Sequence, residues 1–199
     1  MFKKTIFTKG VITLASVIAL TGVGQASAIA ATNDGSAVAA TQTVSSTSQA
    51  AKLNKLIQTG KTQLGVKWRY GTQRPSYGFD CSNFTSWVYK DALGIKFSSS
   101  SRQQRYNSNI GHQVILNSKD KFKNLKVGDL LFFKNSADPG DGSLNRSTSG
   151  GGGHVGIYAG VINGKHYILQ SGGGRGKVTF EPMEGTWFTR ALVYAKRIV

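Results

Sequence analysis

One cysteine, three prolines and nine acidic side chains in 199 residues are what this sequence is short of. A single cysteine excludes an intramolecular disulfide framework and any cysteine-based zinc site. Twenty-five glycines without a Gly-X-Y period, and with so little proline, exclude collagen. Carboxylates this sparse do not combine with the three scattered histidines, His112, His154 and His166, into a metal centre, so no metal or other cofactor is expected. No apolar run reaches the roughly 20 residues that span a bilayer. What is present is 39% hydrophobic, with ten Phe, seven Tyr and three Trp, enough for a buried core, so wholesale disorder is excluded.

The first thirty residues read as an address. Lys3, Lys4 and Lys9 precede the short apolar stretch Val11 to Leu20, and Ala26-Ser27-Ala28 follows. A basic start, an apolar run of about half a membrane span and an A-x-A site make a secretory signal over residues 1–30. Its removal leaves 22 basic against 9 acidic side chains, a formal +13, and no membrane span in the mature protein. Residues 31–51 are Ala, Ser, Thr and Gln with one charge, Asp34, and read as a flexible linker. The folded domain is expected over 52–199.

Within it, Leu53, Leu56, Ile57 and Leu64 fall near helical spacing, with Gly65 as a stop. Phe84, Trp87, Val88 and Leu93 recur at three- and four-residue intervals from Cys81, and Gly94 follows as a helix terminator. Ser98 to Tyr106 reads as a short helix. Beyond Lys126 the period changes: Asp129 to Phe133 suits a buried strand, and two apolar segments flank the hairpin signal Asn163-Gly164. Trp187 to Val199 ends in a further apolar, strand-like stretch. Helices first and strands after predict an α+β domain with a mostly antiparallel sheet. The Gly- and Ser-rich segment 134–153 is a long loop of the kind that is usually functional or mobile.

The lone thiol is most simply a buried filler. Its position at the start of an amphipathic helix, after a Gly-Phe-Asp turn, offers a second reading. Unpaired N–H groups and the positive end of the helix dipole favour a thiolate there, and the same N–H groups suit an oxyanion. Such a nucleophile needs an imidazole. His112 lies in a polar turn and reads as a surface residue, whereas His154 opens a strand after the glycine loop, where its ring can face a cleft.

Gly78-Phe79-Asp80-Cys81-Ser82-Asn83-Phe84, Gly128-Asp129-Leu130-Leu131-Phe132-Phe133 and His154-Val155-Gly156-Ile157-Tyr158 occur in that order. Together they resemble the NlpC-type cell-wall peptidases, papain-like cysteine hydrolases of bacterial peptidoglycan. The resemblance runs from about Leu53 to the end and includes the approach Gly65 to Gly71. It implies a papain-like fold with Cys81 as nucleophile at a helix N-terminus, packed on the sheet that carries His154 as general base and then acid. It implies also a third polar residue that orients the imidazole. Gln170 is the favoured candidate and His166 the alternative. A two-residue Asn163-Gly164 turn pairs Ile157 with Gln170, and it leaves His166 near the hairpin tip as a surface residue. Substrate contacts carried over from the family fall on Asp80 and Ser82, which flank the thiol. Asp80 reads equally as a helix N-cap. Trp68, Tyr70 and the glycine loop are expected to wall the groove. Trp68 stands where members often have Tyr, and Ser98 where many have Arg.

The expected function is a secreted, cell-wall-associated, monomeric hydrolase that cuts an amide of the peptidoglycan stem next to D-glutamate. Alternatives are an N-acetylmuramoyl-L-alanine amidase or an acyltransferase using the same three residues, or a non-catalytic basic wall-binding module. Lys119, Lys121, Lys123, Lys126, Arg102, Arg105, Arg175 and Lys177 point to anionic wall polymers as partners, unless they are simply a solvated surface. Trp68-Arg69-Tyr70 interleaves aromatics with charge as single-strand binders do, but an exported chain is not expected to meet nucleic acid.

Overall fold

The hydrophobic period changes near Lys126, and the architecture changes with it. A computed structural model describes residues 35–134, 153–172 and 174–199, with side chains from residue 47 onward. The expected secretory signal and nearly all of the 134–153 loop lie outside the described residues. Three helices come first: α1 (Gly35–Lys61), α2 (Cys81–Leu93) and α3 (Ser101–Tyr106). A small antiparallel ribbon, β1 (Gln73–Arg74) and β2 (Gly78–Phe79), stands between the first two. The strands then follow as β3 (His112–Val114), β4 (Leu130–Phe133), β5 (His154–Ile162), β6 (Lys165–Gly172), β7 (Lys177–Pro182) and β8 (Leu192–Arg197), with a short α4 (Trp187–Ala191) before the last. They form one sheet in the order β3-β8-β4-β5-β6-β7, antiparallel at every pairing. This is the expected α+β arrangement. Among the described residues no helix is long and apolar enough to cross a membrane.

Alternation along the strands sends side chains to two faces. Leu130, Phe132, Val155, Ile157, Leu169 and Val178 meet Leu56 and Ile57 of α1 and Phe84, Val88 and Tyr89 of α2. Leu131, Phe133, Tyr158, Ile168 and Ala195 pack on the other face with Phe122, Met183 and Phe188. Each of these large side chains contributes about 1.5–3 kcal/mol by leaving water, so α2 is held chiefly by its apolar stripe. Its C-terminus closes on Gly94 at φ +71, whose N–H reaches Lys90 O.

One expectation about the elements needs correction. The described part of the 31–51 stretch is helical, because α1 begins at Gly35. Alanine and glutamine cost little in a helix, and the docked turn at Leu56 and Ile57 supplies the nucleus from which the backbone continues. The last segment ends in a strand as expected: Thr186 caps α4 by accepting the Phe188 N–H, and β8 follows from Leu192.

A second correction concerns register. The hairpin leaves Asn163-Gly164 as expected, with Ile162 opposite Lys165 and Gly160 opposite Tyr167. A bulge then leaves Ala159 unpaired, and Ile157 faces Leu169 instead of Gln170. Carried on, this register sets Gln170 across from Gly156, where a Cβ would lie 3.0 Å from that of Gln170. Gly160 turns the bulge at φ +93, and a Cβ there would meet Val127 Cγ2 at 2.9 Å. Gly160→Ala therefore loses about 1–2 kcal/mol in urea denaturation. Gly174→Ala, at a site with open space and no left-handed backbone, stays within about 0.5 kcal/mol of the parent. Equal stability of the two variants would show that the bulge does not need its glycine.

Candidate active site

Asp80 ends the ribbon and opens α2. Its Oδ1 accepts the Asn83 N–H at 2.8 Å and the Ser82 hydroxyl at 3.3 Å, and its Oδ2 accepts Asn83 Nδ2 and the Gly71 N–H, each at 2.8 Å. Cys81 is thereby the first residue of the helix. Gln104 of α3 steadies this turn from behind. Its Nε2 donates to Ser82 O at 2.8 Å, and its Oε1 accepts the Thr85 hydroxyl at 2.9 Å. From the sheet, the Ser171 hydroxyl donates to Phe79 O at 2.8 Å, so β6 is tied to the approach to the thiol.

Cys81 is half-buried and packs beside Val155 in the helical-side core. Burial pushes its pKa up. The N–H groups of Val155, Ser82 and Cys81 itself oppose that shift, the Asp80 carboxylate reinforces it, and the net direction is upward. The thiolate expected from the helix dipole is therefore not the resting form: desolvation and a neighbouring carboxylate outweigh three N–H groups.

His154 is the first residue of β5, opposite Phe133 on β4. Its ring lies 5.7 Å from that of Phe133 and 6.2 Å from those of Trp187 and Phe188, centroid to centroid, on the face away from α2. Thiol and imidazole thus lie toward opposite faces of the sheet, both at the start of β5. The Val155 N–H that reaches Cys81 belongs to the peptide immediately after His154. Burial lowers the His154 pKa to about 4, against the smaller raising effects of the Gln170 amide and the Glu181 charge. His154 Nε2 and Gln170 Oε1 are both buried without an aligned partner. Contacts of this kind are often loose in a free enzyme and tighten with substrate.

Of the expected site residues, Cys81, Asp80, Ser82, His154 and Gln170 gather here. His166 goes elsewhere: its Nδ1 is 2.5 Å from the Tyr158 hydroxyl, and its ring stacks on Phe122 at 4.2 Å. It is half-buried and not the surface residue expected, because Tyr158 and Phe122 cover the base of the hairpin. Trp68 is bridged to Phe79 and half-buried, while Tyr70 is 77% exposed. His112 is exposed but on edge strand β3, where it pairs with Arg197. Among the described residues no three His, Cys, Asp or Glu side chains gather as metal ligands. Sequence reasoning missed Thr179 and Glu181, which share the Gln170 face, and the aromatic wall around His154. A rare carboxylate inside the strand-like run Lys177 to Pro182 was the available signal.

A half-buried neutral imidazole, its Nε2 out of water, makes stability depend on pH. The unfolded chain takes up the His154 proton near its ordinary value of 6.5 and the folded chain only near 4. The stabilising difference is therefore present above about pH 6.5 and is lost as pH falls toward 4. It amounts to roughly 3 kcal/mol. Urea denaturation at pH 7 and pH 4 measures it: His154→Gln should lose less stability than the parent over this interval, by about that amount. Parallel losses would mean that the His154 ring is not shielded from water as described.

The NlpC/P60 family model matches residues 65–197. The chain is 29% identical to murein DD-endopeptidase MepH of Escherichia coli, over 74% of this chain and 45% of that protein. It is 38% identical to gamma-D-glutamyl-L-lysine dipeptidyl-peptidase of Bacillus cereus, over 56% of this chain and 27% of that one. It thus spans less than half the length of either curated relative. The crystal structure of an NlpC/P60 family protein from Bacillus cereus superposes with a TM-score of 0.54 at 29% identity, covering 73% of this chain and 40% of the other. The helix that starts at the thiol, the antiparallel sheet entered at His154 and a family match over two thirds of the sequence agree: the chain belongs to the NlpC/P60 family.

Proposed function

We propose that the chain is a secreted, wall-associated peptidoglycan hydrolase that cleaves an amide of the peptide stem next to D-glutamate. One observation carries the reading: the Cys81 thiol, at the first turn of α2, is met by the N–H of the peptide that follows His154. The resting pair is a neutral thiol and a neutral imidazole. As the sulfur attacks the carbonyl, His154 takes the thiol proton and the C–N bond breaks to leave a thioester. The amine departs with that proton. His154 then removes a proton from water, which attacks the thioester and returns the acid and the thiol. The N–H groups at the start of α2 lie where an oxyanion would be held.

Asp80 and Ser82 are assigned to the stem's free amine. Among the described residues no basic side chain pairs with the Asp80 carboxylate, so its negative charge is left for a cationic group of the substrate. Trp68 and Tyr70 are assigned to the groove wall. The bond next to D-glutamate is favoured because a relative 38% identical is named for a γ-D-glutamyl-L-lysine bond. Digestion of purified sacculi with mass analysis of the products tests the assignment. The expected products are stems cut after D-glutamate, and Cys81→Ala loses at least about a hundredfold in rate. Release of whole stems from glycan would make the protein an amidase. Equal clearing by parent and Cys81→Ala would end the cysteine mechanism.

The formal charge of +13 left after removal of the expected signal supports retention on anionic wall polymers. Cys81→Ala should sediment with purified walls at low ionic strength and be released by molar salt, where screening shortens to about 3 Å. Retention in molar salt would show that something other than charge holds it.

A further inference from the structure

Behind Gln170 stands a carboxylate. Glu181 of β7 accepts Gln170 Nε2 at 3.0 Å and the Thr179 hydroxyl at 2.6 Å, both on Oε1. Its Oε2 takes Nε and Nη2 of Arg175 at 2.9 and 2.6 Å. Gln170 Nε2 also donates to Thr179 Oγ1 at 2.6 Å. Register explains the gathering: Gln170 pairs with Thr179 and Ile168 with Glu181, so Gln170, Thr179 and Glu181 share one face. Burial alone would raise the Glu181 pKa, but the bonds from Thr179, Arg175 and Gln170 reverse the direction and keep it ionised.

The proton positions then follow. An ionised carboxylate only accepts. The single hydroxyl proton of Thr179 goes to Glu181, which leaves Thr179 Oγ1 to accept from Gln170. Gln170 must turn its NH₂ toward β7, and its oxygen is left for the opposite side, where His154 Nε2 lies buried without an aligned partner. The two flips of a glutamine amide have nearly the same shape, so packing alone does not choose between them. The Oε1 position is also tightly enclosed: a Cβ on Gly172 would lie 2.4 Å from it.

We propose that Glu181 is a positioning residue: it fixes the Gln170 amide with its oxygen toward His154 and so holds the imidazole as the Nε2–H tautomer, with Nδ1 as the basic atom. This rests on the reading of His154 as the base. Glu181 is the charged side chain that bears on His154, and Arg175 acts through it. Cys81 is the titratable group next to Val155. Phe133, Trp187 and Phe188, which pack on the ring from β4 and α4, carry no charge.

The test uses the full chain. Nitrogen NMR of Cys81→Ala labelled at histidine, which needs no turnover, should show His154 as a single Nε2–H tautomer. Adding Glu181→Gln, whose amide can donate as well as accept, should give a mixture of tautomers and a lower proton affinity. In the active protein Glu181→Gln should lower kcat about tenfold with KM within about twofold. Arg175→Ala, which leaves the carboxylate acceptor-only, should keep the tautomer, and Glu181→Asp should recover part of kcat. Thr179→Val, which removes the ordered hydroxyl and leaves the carboxylate, gives a smaller loss and serves as the second variant if Glu181→Gln does not fold. Parental tautomer and parental kcat in Glu181→Gln would overturn the proposal. If the parent cleaves no wall peptide, the reading of the function falls, and the NMR comparison still decides the role of Glu181.

Discussion

The two halves of this protein come together at the peptide that follows His154, whose Val155 N–H faces the Cys81 sulfur. The helical half delivers the thiol through the Asp80 cap and the apolar stripe of α2, and the sheet delivers the imidazole one residue earlier on β5. Neither half contains the site. If α2 slid by one turn, about 5.4 Å, the sulfur would lose the Val155 peptide. The stripe of Phe84, Val88 and Tyr89 on Leu130, Ile157 and Leu169 is therefore as much a part of the site's geometry as its polar groups.

Burial then decides the chemical state of both groups. Removing water from a thiol and an imidazole penalises their charged forms, and three N–H groups and one amide do not compensate. The resting site stores no ion pair. On the proposed mechanism charge develops as the sulfur attacks, where α2's first N–H groups are already fixed and Phe133, Trp187 and Phe188 wall the His154 ring. A preorganised, dry surrounding stabilises charge that appears during reaction more effectively than charge already solvated.

Polar order spreads outward from the imidazole along β6 and β7. Gln170, Thr179, Glu181 and Arg175 each pass a direction to the next, ending on a half-exposed guanidinium. Such a network specifies proton positions as well as atom positions, which apolar packing cannot do.

Much was legible in the residues themselves. The cap Asp80, the periodic stripe after Cys81 and the terminator Gly94 define α2 through local backbone chemistry, and Asn163-Gly164 defines the hairpin in the same way. Such signals act over a few residues, so the sequence alone determined which elements form and that the thiol heads a helix. The Ala159 bulge, the withdrawal of His166 to Tyr158, the resting thiol and the pairing of Gln170 with Glu181 were decided only by tertiary structure. Each depends on what lies across a strand or above a face: Val127 against Gly160, Phe122 on His166, the β7 carboxylate behind Gln170. Desolvation and cross-strand contact are properties of groups far apart in the chain, and no local pattern encodes them.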